Sequence, residues 1–256
     1  MKITHLAYTG LFVLTSFLAT TVFADTISGS GGAGFQTSLS ADLNQNQNPY
    51  WDNPSIDGPN ANVGFYLINA PTAPLSGAPG VLPYWGDGGG TADANFSFLK
   101  NSESGTASLK LELAANADIN EFGWYDTTGP LVLRPLILGP NTAPFDTTFT
   151  PSAQYGFYLK SSGGTYFTQS SLNPAGDTTH QHFAVFQQSA VPGAEAYWLG
   201  IEDQNVSELN GNEGGLGDYN DMLVQVTFDN MPEPTTLALV LSGALLMPGL
   251  LKRRRR

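Results

Sequence analysis

Residues 107–114 (ASLKLELA) set Leu109, Leu111 and Leu113 on one side of an extended chain and Ser108, Lys110 and Glu112 on the other. This period of two marks a strand with one wet face, because a helix would scatter the leucines around its circumference. The pattern recurs. Residues 222–228 (MLVQVTF) align Met222, Val224, Val226 and Phe228, and residues 95–100 (NFSFLK) set Phe96 and Phe98 against Ser97. Residues 63–69 (VGFYLIN), 121–126 (EFGWYD), 154–160 (QYGFYLK), 166–169, 182–187 (HFAVFQ) and 196–201 (AYWLGI) also read as strands. Pro135 makes 131–138 an edge or bulged strand, since it cannot donate to a ladder. Ser161-Ser162-Gly163-Gly164 is a hairpin signal. Residues 71–90 read as a long Pro- and Gly-rich loop whose Tyr84-Trp85 pair packs on the core. Outside the two ends no window is a convincing amphipathic helix. Roughly ten short strands predict an all-β fold, a β-sandwich or jelly-roll-like single domain, over residues 42–230.

The ends differ from the body. Lys2, an apolar run over 6–19 and the small residues around Val22-Phe23-Ala24 form a signal peptide, 1–24, with cleavage expected after Ala24. Residues 25–41, rich in Gly and Ser, read as a flexible leader. At the other end Pro232, Glu233 and Pro234 precede an apolar run, 235–251, and then the bases Lys252, Arg253, Arg254, Arg255 and Arg256. As a helix this run is roughly 25 Å long, a little short of the ~30 Å bilayer core, and its bases stay on the cytoplasmic side. It is read as a transmembrane helix with everything upstream outside that membrane.

Composition narrows the function classes. Six of the ten bases and one of the 22 acids lie in the two ends, so the body carries four bases against 21 acids, a net charge near −17. Such a body repels nucleic acid and anionic membrane surfaces and attracts divalent cations. The chain has no cysteine, so neither disulfides nor thiol chemistry contribute.

The tail resembles the PEP-CTERM sorting signal of Gram-negative bacteria: the Pro-Glu-Pro triplet, the short apolar helix and the terminal arginines occur in order over 231–256. The resemblance implies export, a transient stay in the inner membrane, recognition by an exosortase with cleavage near the triplet, and association with exopolysaccharide. An ordinary tail anchor shares the topology and differs in keeping the helix.

Between the last two strands lies an acidic stretch, 201–226. Glu202, Asp203, Asn205, Glu208, Asn210, Asn212, Glu213, Asp218, Asn220 and Asp221 fall within it. Calcium takes six to eight oxygens at ~2.3–2.6 Å from carboxylates and carbonyls, and a glycine-rich loop can wrap to supply them. The spacing is not that of an EF-hand, because Glu208 stands where the sharp turn needs glycine. The candidate calcium ligands are Glu202, Asp203, Asp218, Asn220 and Asp221; the plain alternative is a solvated polar loop. This segment also resembles the ending of a secreted domain of unknown function found in bacterial surface and calcium-dependent proteins. There a strand ends in Glu-Asp, here Glu202-Asp203, and an acidic loop leads to Asp-x-Asn-Asp, here Asp218 to Asp221. Phe122 to Asp126, Gly156 to Tyr158, Ser171 to Asn173 and His182 match as well. The resemblance spans 95–228 and implies an exported β-rich module without an established reaction.

Catalytic readings have less to stand on. His180 and His182 are the only histidines after the signal peptide, and would need a distant carboxylate to hold zinc. No Gly-x-Ser-x-Gly elbow occurs, and Asp87 within 86–90 repels phosphate. A glycoside-hydrolysing carboxylate pair could arise by chance among 21 acids. The expectation is therefore a non-enzymatic, exported cell-surface or matrix protein. The alternative is a calcium-dependent carbohydrate-binding module with Trp51, Trp85, Trp124 and Trp198 as stacking platforms.

Overall fold

The described residues contain thirteen strands, all paired antiparallel. In chain order they are β1 (Thr26–Gly29), β2 (Gly34–Ser38), β3 (Leu82–Gly86), β4 (Phe96–Leu99), β5 (Gly105–Glu112), β6 (Glu121–Asp126) and β7 (Arg134–Leu138). They continue as β8 (Phe145–Phe149), β9 (Gln154–Lys160), β10 (Thr165–Phe167), β11 (Phe183–Gln187), β12 (Ala196–Ile201) and β13 (Met222–Phe228). One sheet has the order β1-β4-β9-β6-β7, with β10 also on β9; the other runs β2-β3-β11-β12-β13-β5-β8. The computed structural model describes residues 25–29, 34–38, 51, 62–69, 82–86, 95–114, 117–188, 196–205 and 218–228. All of them belong to one unit, Val22–Met231. The signal peptide with Ala24, and the tail with Pro232, Glu233, Pro234 and Arg253 to Arg256, lie outside the described residues. Among those described, no helix is long and apolar enough to cross a membrane.

The all-β sandwich agrees with the period-two reading. The main core lies between the sheets. Phe98, Phe122, Phe157 and Leu159 come from the first; Leu109, Val185, Tyr197, Leu199, Val224 and Val226 come from the second. Phe157 is its hub, stacked on Phe122 at 5.3 Å and edge-on to Phe98 at 5.1 Å and to Phe149 across the gap at 5.6 Å. Such ring pairs add about 0.5–1.5 kcal/mol each beyond their buried area. A second cluster covers the outer face of the seven-stranded sheet: Trp51, Val63 and Leu67 pack on Tyr84, Ala184, Phe186, Trp198 and Leu223. Strands β11 and β12 are thus buried on both faces.

Several elements depart from expectation, each for a local reason. Residues 63–69 are not a strand but a helical turn, of π type over Phe65–Asn69. The Asn62 side-chain oxygen accepts from the Phe65 amide at 3.1 Å. Val63 and Leu67, one turn apart, press on the outer face of the sheet. A short apolar run does not reveal its own period. The loop expected over 71–90 contains β3, whose Trp85 and Tyr84 pair with Phe35 and Gln36 of β2. Residues 145–149 were not read as a strand, yet β8 is the edge beyond β5. The leucine stripe of 107–114 is split. A register shift opposite Leu223/Val224 pairs Leu223 with Leu111 and Val224 with Leu109. This bulge sends Leu109 into the inter-sheet core and Leu111 to the outer cluster, while Leu113 is left 44% exposed. Pro135 does sit on an edge strand with a register shift, as expected.

The flexible leader is also corrected: β1 and β2 fall inside 25–41. Asp25, which opens β1, is fully buried. Its carboxylate accepts the Asn101 and Ser102 amides at 2.7 Å each and the Tyr155 hydroxyl at 2.7 Å. Its carbonyl accepts the Tyr197 hydroxyl at 2.8 Å. Glycine and serine permit this strand, and the single acid within it anchors it. Asp25→Ala leaves the Ser102 amide and the Tyr155 hydroxyl buried without their acceptor and removes the part-buried Asn101 bond, so it should cost on the order of 2–4 kcal/mol in urea unfolding. Thr26→Ala, at a partly exposed neighbour, serves as the near-neutral comparison.

Candidate metal centre

Three strand ends of the seven-stranded sheet meet at one corner. β12 runs out at Ile201 into Glu202-Asp203, β13 begins just after Asp221, and β5 finishes at Glu112, opposite Met222. Because the sheet is covered on both faces there, the acids at its ends are drawn out of water. Glu202 and Asp203 are each 1% exposed.

Tight backbone contacts shape the corner. The Glu202 amide donates to the His182 carbonyl at 3.0 Å, and the His182 ring nitrogen Nδ1 meets the Glu202 carbonyl at 3.2 Å. His182 therefore engages both the amide and the carbonyl of Glu202. Tyr219 has φ 49°, a left-handed conformation costly for a bulky residue. Its buried ring and its hydroxyl, which donates to the Gln181 carbonyl at 2.7 Å, hold it there. The Asp218 carbonyl accepts the Val63 amide, and that of Asp221 accepts the Leu113 and Ala114 amides. Gly200 permits the close packing, since a Cβ there would lie 2.6 Å from Val63 Cγ2 and 2.7 Å from the Tyr219 carbonyl.

The result is a cluster of carboxylates from Glu202, Asp218 and Asp221, with one oxygen of each within 4.8 Å of the others. Two ligand oxygens on opposite sides of one calcium stand about 4.6–5.2 Å apart, twice the metal–oxygen distance, so all three fit around a single ion. Glu202 Oε2 is buried with no hydrogen-bond partner. Burial, followed by the charges of Asp221, Asp218 and Asp203, drives the Glu202 pKa well above the carboxylate range. Burial also raises Asp221, partly offset by hydrogen bonds from Glu202 and Asp203. A divalent cation would remove this repulsion and give Glu202 Oε2 its missing partner. The donor set is all oxygen, which suits a hard cation rather than zinc.

Of the five ligands expected from sequence, Glu202, Asp218 and Asp221 come together. Asp203 turns aside: its Oδ2 accepts from the Asn120 amide at 3.1 Å, and its own amide donates to Asp221 Oδ2 at 2.9 Å. Asn220 is buried next to the cluster in sequence. Two members were missed. Asn120 and Glu112 lie far away in the chain, and only strand pairing brings Glu112 opposite Met222. Burial, then Asp203, Asp118 and Asp221, raise Glu112 to about 7, against the lowering hydrogen bond of Asn120.

The other candidates fare differently. The four tryptophans offer no stacking platform: Trp51 and Trp198 are 0% exposed, Trp124 7% and Trp85 8%. Trp51 sits edge-on to Tyr84 and Phe186, Trp85 edge-on to Phe35, and Arg134 covers Trp124 at 4.8 Å. Large aromatics on a two-sided sheet are the readiest way to fill its layers, and that use has taken all four. The two histidines are placed apart from the acidic corner's carboxylates by their own contacts with Asp177. His180 lies in the turn closed on Asp177, and His182 precedes β11, with Nε2 3.7 Å from Asp177.

Comparisons with protein-family models, with curated proteins and with solved structures give no match to this chain.

The raised carboxyls set the sign of a pH effect. Glu112 moves from 4.5 to about 7 on folding, so its ionisation costs the folded state progressively between those values. Without metal, the protein should melt at a lower temperature at pH 8 than at pH 5. Glu202→Gln, which is neutral in both the folded and the unfolded chain and so escapes the cost of a raised pKa, should raise the metal-free melting temperature at pH 8. Thermal melts in excess chelator across this range check both.

Proposed function

We propose that this chain is an exported, non-catalytic protein of the cell surface or extracellular matrix, whose sandwich is locked at one corner by a calcium ion on Glu202, Asp218 and Asp221. The observation that carries the metal reading is Glu202: a buried carboxyl group clustered with those of Asp218 and Asp221, and with no hydrogen bond at its Oε2. Repulsion among three close carboxylates, one of them buried and two partly so, costs free energy unless they are protonated or neutralised. Calcium fits the all-oxygen donor set and the spacing, and it is abundant outside cells.

Export is supported by the sequence of the two ends. The signal peptide ending at Ala24 routes the chain out. The Pro232-Glu233-Pro234 triplet with its apolar run and arginines is the signal an exosortase would take. The acidic body, near −17 by residue count, suits a matrix role in which divalent cations bridge acidic protein and exopolysaccharide. A sugar-stacking module draws no support from the buried tryptophans.

Calorimetry with calcium tests the site. Added calcium should raise the melting temperature by several degrees, and excess chelator should reverse the gain; this corresponds to a few kcal/mol when the ion far exceeds its dissociation constant. Asp221→Asn should remove most of the calcium response while the fold persists in chelator. A melting curve indifferent to both additions rejects the metal. Fractionation of producing cells tests the destination, where mature protein is expected outside the cytoplasm.

A further inference from the structure

We propose that the turn before β11 binds zinc through Asp177, His180 and His182, at a site that shares no ligand with the acidic corner. Two histidines need a third protein ligand to hold zinc. The carboxylate that supplies it stands three residues before the first histidine.

His182 is fully buried, and its ring lies flat on that of Tyr166, with centroids 3.7 Å apart and planes 13° off parallel. Its Nδ1 stands 3.2 Å from the Glu202 carbonyl. A carbonyl only accepts, so Nδ1 carries the hydrogen, and on the neutral ring the lone pair belongs to Nε2. Burial favours that neutral ring, holding the His182 pKa down at about 4. Nε2 has no hydrogen-bond partner. It faces Asp177 Oδ1 at 3.7 Å, and Asp177 is buried too. A nitrogen lone pair and a carboxylate oxygen both seek positive charge, and 3.7 Å is too long for a hydrogen bond between them. It is a separation that one zinc ion spans. With zinc–ligand distances of ~2.0–2.2 Å, two ligands stand about 3.3–3.6 Å apart at the tetrahedral angle and up to ~4.2 Å as the angle opens. The contact of Nδ1 with a backbone carbonyl is the outer bond that orients a ligating imidazole.

His180 brings the third donor. Its amide donates to the Asp177 carbonyl at 2.9 Å, which closes the turn. Asn173 pins both residues: its Nδ2 donates to the Asp177 carbonyl at 3.3 Å and to the His180 carbonyl at 2.9 Å. Its Oδ1 accepts the Phe167 amide at 2.7 Å, so the turn is anchored to β10. His180 is half-buried, its Nδ1 is 3.4 Å from Thr179 Oγ1, and its charge acts on His182. It is the outermost of the three, and it reaches the ion by leaving Thr179 and turning toward His182. Two imidazoles and one carboxylate, with water in the fourth position, suit zinc; the all-oxygen corner suits calcium.

The test titrates zinc into the metal-free, untagged full-length chain in detergent micelles at neutral pH, read by calorimetry. Calcium is present in excess, so that carboxylates alone do not draw the zinc. One equivalent of zinc should bind. His180→Gln and Asp177→Asn should each weaken it about 10-fold or more, since losing a ligand costs at least as much as losing an outer-shell contact. Cobalt in place of zinc should give the strong visible absorption of a tetrahedral nitrogen–oxygen site in the wild type and lose it in His180→Gln. Near-UV circular dichroism checks that each variant is folded. His180→Gln, at a half-buried position, decides alone if Asp177→Asn does not fold. A wild type that takes up no zinc under these conditions overturns the proposal. Zinc affinity in folded His180→Gln equal to that of the wild type also overturns it, and assigns the bound metal to an adventitious ion only.

Discussion

The burial of the seven-stranded sheet on both faces is the constraint from which the rest follows. Strands β11 and β12 have no solvent face, so their backbone polar groups must be bonded along the ladder or at its ends. Phe183, Val185, Tyr197 and Leu199 fill the gap between the sheets, while Ala184, Phe186 and Trp198 meet the outer layer of Trp51, Val63 and Leu67. Acids placed where such strands end cannot keep their water. Glu202 and Asp203 are the direct case, and their carboxyls lie among Asp218, Asp221 and Glu112 because β13 and β5 are the next strands along. The corner's electrostatic strain is therefore a product of the architecture.

The backbone of the corner is also held by close contacts. His182 engages the Glu202 amide and carbonyl, Tyr219 is wedged in a left-handed turn, and Gly200 allows Val63 to close over it. These contacts fix the backbone from which the carboxylates project. At the other sheet Asp25 plays a comparable part with ordinary hydrogen bonds, joining Tyr155 of one sheet to Tyr197 of the other.

The strands were legible where side-chain alternation met one buried face or where a central strand was continuously apolar. Residues 121–126, 154–160, 196–201 and 222–228 have the expected bounds. Elements whose role depends on a partner were not legible. β8 reads FDTTF and takes its identity from pairing with β5. β1 and β2 look like linker until Asp25 and Phe35 are given neighbours. The helical turn at 65–69 and a strand of the same composition differ only in what they pack against. The tryptophans were misjudged because large aromatics serve equally as platforms and as filling; contact with Tyr84, Phe186, Phe35 and Arg134 decides.

The sequence alone determined that this is an all-β chain with a strongly acidic body between two apolar ends, and that its densest acids lie between the last two strands. Those are properties of neighbours along the chain: alternation, charge count and turn chemistry are local and survive in any conformation. Tertiary structure decided which of the acids meet. Glu202, Asp218 and Asp221 converge, Asp203 turns to Asn120, and Glu112 arrives from β5. The reason is physical: a carboxylate becomes a ligand only when its geometry and loss of water are set together, and both come from strands that are distant in sequence.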